Sequence, residues 1–151
     1  ATTSSPATVP AMLEAANEDM KISRPVSSFV IPLGAALGRG GAALFQGAGI
    51  VFLAWLYGVS LAASGISAAV LATFIVSFTV ASVPGGSVLS MAPALGTVGI
   101  PLDGLAVLLG VDRVPDMART ATNVTGTLTA TVVVDRMEQR MEDGTGKRRG
   151  P

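Results

Sequence analysis

Apolar residues run through this chain in long blocks, and the breaks between blocks fall at glycine, proline and a few charges. Residues 1–9 are rich in Thr, Ser and Pro. Residues 10–17 read as a short helix that runs into the polar stretch 18–24. A second apolar segment opens at Pro25, a residue suited to a first helical turn, and reaches Leu37. It meets Gly38-Arg39-Gly40-Gly41, where three glycines in four residues end a helix. Residues 43–61 then give 19 uncharged positions, about 28 Å of helix at 1.5 Å per residue. Trp55 and Tyr57 stand near the far end, where an aromatic belt would lie. The next apolar block, 62–98, is cut by Pro84-Gly85-Gly86. Its second half is roughly 14 to 18 Å long if helical, too short to cross a bilayer. Two helices meeting at a Pro-Gly turn inside an apolar zone predict a re-entrant hairpin, tolerated where its tip is buried in protein or lines a cavity. The last apolar segment is 104–134, followed by a polar tail, 135–151.

Composition sharpens this pattern. Half the residues are hydrophobic, 13% are charged and the mean hydropathy is +0.60. Nine charges fall in the last 17 residues, and none in the 63 residues from Gly40 to Leu102. A small soluble domain keeps much of its chain at the surface and cannot hide such a run, so the chain reads as an all-α integral membrane protein. Lys21 and Arg24 mark one loop, and Arg136, Arg140, Lys147, Arg148 and Arg149 mark the C-terminal tail. The positive-inside rule makes both cytoplasmic in a multi-pass protein of the cell membrane, with an even number of crossings between them. Net charge is zero, which gives no basic field for nucleic acid. There is no cysteine and no histidine, so disulfides, thiolate chemistry and histidine catalysis are excluded. No nucleophile with a base, no phosphate loop and no metal-ligand spacing supports an enzyme. The chain opens on Ala, with no basic region ahead of an apolar core, and is expected to be part of something longer.

The segment 104–134 carries Asp112, Arg113, Asp116 and Arg119 inside an apolar span. At 100° per residue, Asp112, Asp116, Arg119, Thr120, Asn123 and Thr127 fall within an arc of about 100°. Charges in a span normally face a bundle interior or an aqueous cavity. Two readings stand: a structural Asp116/Arg119 ion pair at helical spacing, or a site for a zwitterionic ligand that carries an extra carboxylate.

Residues 111–126, VDRVPDMARTATNVTG, resemble the final transmembrane helix of the glutamate transporter homologue family, the dicarboxylate/amino acid:cation symporters, whose pattern is close to D-x-x-x-D-M-x-R-T-x-x-N-V-T-G-D. Residues 3–10, TSSPATVP, resemble the serine-rich tip of that family's first hairpin. Residues 31–47, IPLGAALGRGGAALFQG, resemble L-P-L-G-A-T-x-N-M-D-G-T-A-L-Y-Q-G, and residues 81–86 resemble the tip of its second hairpin. The resemblance implies the C-terminal core of an elevator-type transport domain. Residues 1–17 would be the second arm of re-entrant hairpin 1, 25–61 a broken transmembrane helix 7, 62–98 re-entrant hairpin 2, 104–134 transmembrane helix 8 and 135–151 a cytoplasmic tail. The full-length protein would be a homotrimer in the lipid membrane, and the 151-residue chain alone would not transport.

By the same resemblance Arg119 receives the side-chain carboxylate of glutamate or aspartate, and Asp116 holds the amino group. Asn123 lies by the main-chain carboxylate, Thr120 is a hydroxyl donor, and Ser5 and Val83 give backbone contacts from the hairpin tips. The family's neutral exchangers lack the arginine. A bidentate guanidinium matches a carboxylate, and half-helix N-termini favour anions. The sodium sites are depleted. Where the family has Asn, Asp and Asp, this chain has Gly38, Gly40 and Thr127, leaving the Gly34 carbonyl, Asn123, and carbonyls near Ser77 and Val80 for a hard cation. Arg39 stands between two lost ligands and is either a fixed-charge surrogate for the cation or an arginine snorkelling from a helix break. Coupling is thus to Na⁺ or H⁺, with no cofactor. The leading function is a secondary active symporter for acidic amino acids or dicarboxylates. The alternative is a transport-incompetent membrane paralogue that keeps the fold and ligand binding.

Overall fold

The computed structural model describes residues 5–77 and 85–144, the side chains of Phe74 and Ser77 excepted. Among these residues every regular element is helical, as the patterning predicts. A 3₁₀ turn, Pro6–Thr8, leads into α1 (Val9–Glu14) and a π turn, Ala15–Asp19. There follow α2 (Arg24–Leu37), α3 (Gly40–Leu56), α4 (Ala63–Ser77), α5 (Gly86–Leu89), α6 (Ala92–Val98), α7 (Gly104–Val111) and α8 (Arg113–Gly144). The chain divides into two compact units. One holds Arg39–Asn123, and the other holds Ser5–Gly38 with residues 124–144.

In the first unit, α3, α4, α5, α6 and α7 share one core. It is built from Ile50, Leu53, Ala69, Val88, Met91, Leu95 and Leu108. The arms α4 and α6 lie side by side, and a Cβ at Gly65 would meet Val98 at 3.5 Å. Two helices end the same way. Gly58 at φ 65° lets Val59 N–H reach the Ala54 carbonyl (2.8 Å) and Gly58 N–H reach that of Trp55 (3.3 Å). Gly99 at φ 72° repeats it, with Ile100 N–H on Leu95 (3.0 Å) and its own N–H on Gly96 (3.4 Å). Each is a left-handed glycine cap whose following apolar residue turns inward, Val59 and Ile100 both packing on the core. This is why α3 stops at Leu56 instead of continuing to residue 61 as the uncharged run suggested.

The second unit packs Met12, Ala16, Ile22, Val26, Ile31 and Ala35 against Val124, Leu128 and Val132 of α8. Two of its buried polar groups are paired with distant partners. The Ser27 hydroxyl, fully buried, donates to Asn17 Oδ1 at 2.7 Å. The Asp135 carboxylate accepts the Ser23 N–H (3.1 Å) and hydroxyl (2.7 Å) and, on its other oxygen, Gln139 Nε2 (2.6 Å). Ser23 is the N-cap of α2, so Asp135 closes the open N–H end of a helix from a distant part of the chain.

The final apolar segment differs from a single helix over 104–134 in two ways. It is interrupted at Asp112, between α7 and α8, because Pro115 has no N–H to offer the Val111 carbonyl. Asp112 N–H instead turns back to Leu109 at 3.3 Å, and helical bonding resumes with Asp116 N–H on the Asp112 carbonyl at 2.8 Å. Beyond residue 134 the chain does not become an irregular tail: α8 continues to Gly144. Met, Glu, Gln and Arg in 136–142 are good helix formers, and the Asp135–Gln139 bond ties one turn to the next.

Much of the helical surface is apolar. Leu44, Trp55 and Phe29 are each at least 70% exposed. A water-facing helix would bury such residues, whereas lipid or further helices would cover them. By length and composition Arg24–Leu56, read across its interruption at Gly38 and Arg39, is long and apolar enough to cross a membrane, while Ala63–Thr73 and Gly86–Val98 are shorter apolar helices.

Candidate functional site

The polar stripe of the last segment meets the start of α3 in the first unit. Gly41, in the first turn of α3, lies against the backbone of Arg119: a Cβ there would stand 2.6 Å from the Arg119 carbonyl oxygen. No other residue type allows this approach. The Gly41 N–H donates to Asn123 Oδ1 at 2.8 Å, so the amide of α8 satisfies one of the free N–H groups at the α3 N-terminus. One turn further along α3, the Phe45 ring faces the guanidinium of Arg119, whose central carbon is 4.2 Å from the ring centroid.

Arg119 itself is 5% exposed, and two neighbours on its own face hold it. Its Nη1 donates to Asp112 Oδ1 at 2.8 Å and its Nη2 to Asp116 Oδ1 at 2.7 Å. Both carboxylates are buried. The break at Asp112 serves this geometry by leaving a carboxylate at the head of α8, two turns from the arginine. Two acids against one guanidinium leave one formal negative charge in an apolar surrounding. The third nitrogen, Arg119 Nε, is buried and reaches no acceptor among the described residues. In a protein interior such a donor is costly unless something fills it.

Of the other residues singled out in the sequence, Thr120 is half-buried next to Arg119, and its hydroxyl makes no hydrogen bond among the described residues. Ser5 is buried in the second unit, its carbonyl accepting both the N–H (3.1 Å) and the hydroxyl (2.7 Å) of Thr8. Val80 and Val83 lie outside the described residues, and Ser77 is described only as the end of α4.

The depleted cation region is brought together in part. In the second unit a Cβ at Gly34 would stand 2.5 Å from Thr127 Cγ2, and one at Gly38 3.3 Å from Thr127 Oγ1. The Gly34 carbonyl accepts the Gly38 N–H at 2.6 Å. Gly34, Gly38 and Thr127 are therefore neighbours, with no carboxylate among the three. Arg39 is the half-buried N-cap of α3, and Gly40 faces open space. Among the described residues, no group of three acidic side chains is gathered to hold a metal ion.

Phe45 and Gly41 are site residues that residue-type reasoning passed over. Both lie in the run 40–47, where small residues surround one aromatic, a pattern of close helix approach with something large to cover.

Residues 1–137 match the model of the sodium:dicarboxylate symporter family. The chain is 37% identical over 146 residues to a proton/sodium-glutamate symport protein of Geobacillus stearothermophilus, covering 97% of this chain and 34% of that protein. It is 41% identical over 117 residues to a proton/glutamate-aspartate symporter of Escherichia coli, covering 78% and 27%. To the human neutral amino acid transporter A it is 34% identical over 140 residues, covering 93% and 26%. The chain thus spans about a third or less of the length of these relatives. With the family model matched over nearly its whole length, the chain belongs to the sodium:dicarboxylate symporter family.

Proposed function

We propose that this chain supplies the substrate-binding part of a secondary active symporter for acidic amino acids or dicarboxylates. The observation that carries the reading is the buried Arg119, held by two carboxylates with its third nitrogen, Nε, unfilled among the described residues. An incoming acidic side chain would take Nε and Nη2 of the guanidinium side-on, in the planar two-bond geometry that favours Arg over Lys. Asp116, displaced from Nη2, would then be free to accept the substrate ammonium, while Asp112 keeps Nη1 and fixes the fork. In this exchange Asp116 trades the guanidinium for the substrate ammonium and Asp112 keeps Nη1, so neither carboxylate is left without a partner. That matters because an unpaired buried charge costs about 3 to 5 kcal/mol. Asn123 and Thr120 would meet the main-chain carboxylate. Relatives of this chain include both glutamate symporters and a neutral amino acid transporter, and the presence of Arg119 favours the acidic class.

In this reading residues 1–17 are the second arm of a re-entrant hairpin, 62–98 is a second re-entrant hairpin, 25–61 is a broken transmembrane helix, and 104–134 is the last crossing. The C-terminal end is cytoplasmic and the assembly trimeric, with transport by an elevator movement. The coupling cation is Na⁺ or H⁺, with Arg39 as a fixed positive charge where the cation ligands are replaced. A second reading is favoured by Gly34, Gly38 and Thr127, which are packed together without a carboxylate: a protein that binds its ligand but does not transport. Binding and uptake of labelled aspartate by the full-length protein in proteoliposomes, with and without Na⁺, separate the two. Uptake supports the symporter, and binding without uptake supports the second reading. Strict Na⁺ dependence rules out the arginine surrogate.

A further inference from the structure

The second unit carries a polar cavity that the transport chemistry does not use. It has a volume of about 340 Å³ and lies between the turn before α2 and the last turns of α8. Lys21, Arg136 and Arg140 line it together with Gln139, Asp135 and Asp143. Arg136 and Arg140 are one helical turn apart on the same face of α8. Lys21 is held at φ 57°, an uncommon conformation for a side-chain-bearing residue. The bonds on either side fix it, Met20 N–H to Ala15 (3.0 Å) and Ile22 N–H to Ala16 (2.9 Å). Among the described residues none of these three cations forms a salt bridge. Asp135 has both oxygens committed to Ser23 and Gln139, which leaves Asp143 as the one carboxylate of the lining without a partner among the described residues. Three cations against two acids, one of them already hydrogen-bonded on both oxygens, give a concave, net-positive site.

The position of the cavity along α8 indicates which anion it takes. Val133, 51% exposed, precedes Arg136 and Arg140 on the same helix face by one and two turns, so an apolar exposed surface gives way there to unpaired cations. In a chain that crosses a bilayer, this is the level of the lipid headgroups, and basic pockets between helices at that level suit phosphate. We propose that the cavity of Lys21, Arg136 and Arg140 binds the phosphate group of an anionic lipid. A free phosphate offers the same oxygens, but only the lipid also covers the adjoining apolar surface. The proposal rests on the membrane reading above and is independent of the substrate site.

The test is native mass spectrometry of the detergent-solubilised protein with phosphatidic acid, phosphatidylglycerol or phosphatidylcholine, alongside flotation on vesicles of the same lipids. The wild type is expected to retain the two anionic lipids at least about fivefold better than phosphatidylcholine. R136Q/R140Q should lose that preference, and R136K/R140K should keep most of it. R24Q, which removes one charge at the same end without touching the cavity, should behave as the wild type. Equal loss in R24Q, or no lipid preference in the wild type, overturns the site. Inorganic phosphate that binds as tightly as the lipid overturns the lipid assignment. Failure to float even on phosphatidylcholine vesicles overturns the membrane reading itself, whereas flotation without anionic preference overturns the cavity alone.

Discussion

Gly41→Ala tests the helix contact on which the candidate site depends. The added methyl would stand 2.6 Å from the carbonyl oxygen of Arg119, 2.9 Å from its Cα and 3.1 Å from its carbonyl carbon. All three are backbone atoms, so no rotamer change relieves the contact. To restore van der Waals distance, α3 and α8 must separate by about 0.8 Å, in an interior packed as densely as an organic crystal. Overpacking of this kind costs about 1 to 3 kcal/mol, partly offset by the roughly 1 kcal/mol that alanine gains over glycine within a helix. Gly47, in the same helix, has nothing within 4 Å of its virtual Cβ. Gly47→Ala therefore takes the helix-propensity gain alone, about 0.5 to 1 kcal/mol. Adding the gain at Gly47 to the net loss at Gly41, the two variants should differ by about 0.5 to 3 kcal/mol, or roughly 1 to 12 °C in Tm for a chain of this size. Thermal scans by circular dichroism in detergent measure that difference. Gly41→Ala should also weaken aspartate binding, because the displaced backbone carries Arg119, while Gly47→Ala should leave binding unchanged. If Gly41→Ala is as stable as Gly47→Ala, the close approach of α3 to Arg119 is wrong.

Three further outcomes are expected. Asp135→Ala leaves the Ser23 N–H and hydroxyl without their acceptor and should cost about 1 to 3 kcal/mol. Faster hydrogen exchange confined to the first turn of α2 is its signature. Arg119→Lys keeps the charge but loses the fork, so aspartate affinity should drop at least about tenfold with little change in Tm, since one ammonium can still pair with Asp112 or Asp116. Isothermal titration separates the two effects. Thr127→Asp places a carboxylate beside Gly34 and Gly38 and should make thermal stability rise with Na⁺ more steeply than in the wild type.

The patterning made the helices legible, and it also located the stripe of Asp112, Asp116, Arg119 and Asn123, because polar residues on one face of an otherwise apolar segment have few places to go. It did not show how Arg119 is held. The choice between an ion pair and a ligand site depends on whether a donor is left over, and the unfilled Nε appears only when the side chains are placed. The break at Asp112 was readable in Pro115, but an apolar run on both sides concealed it. The end of α3 at Leu56 was written in Gly58, yet a count of uncharged residues does not register a left-handed cap. Polar composition suggested a polar tail from residue 135 onward. Helix propensity and the Asp135 bonds to Ser23 and Gln139 carry the helix on to Gly144 instead. Phe45 was missed because its role arises from the neighbouring helix and not from its own segment.

The most direct test of the account is uptake of labelled aspartate and labelled alanine into liposomes that contain the full-length protein, wild type against Arg119→Ala. The account predicts aspartate uptake by the wild type and its loss in Arg119→Ala, where no guanidinium remains to receive the second carboxylate and Asp112 and Asp116 stay unpaired. Aspartate uptake that survives Arg119→Ala undiminished would contradict the assignment of Arg119 as the residue that selects the acid.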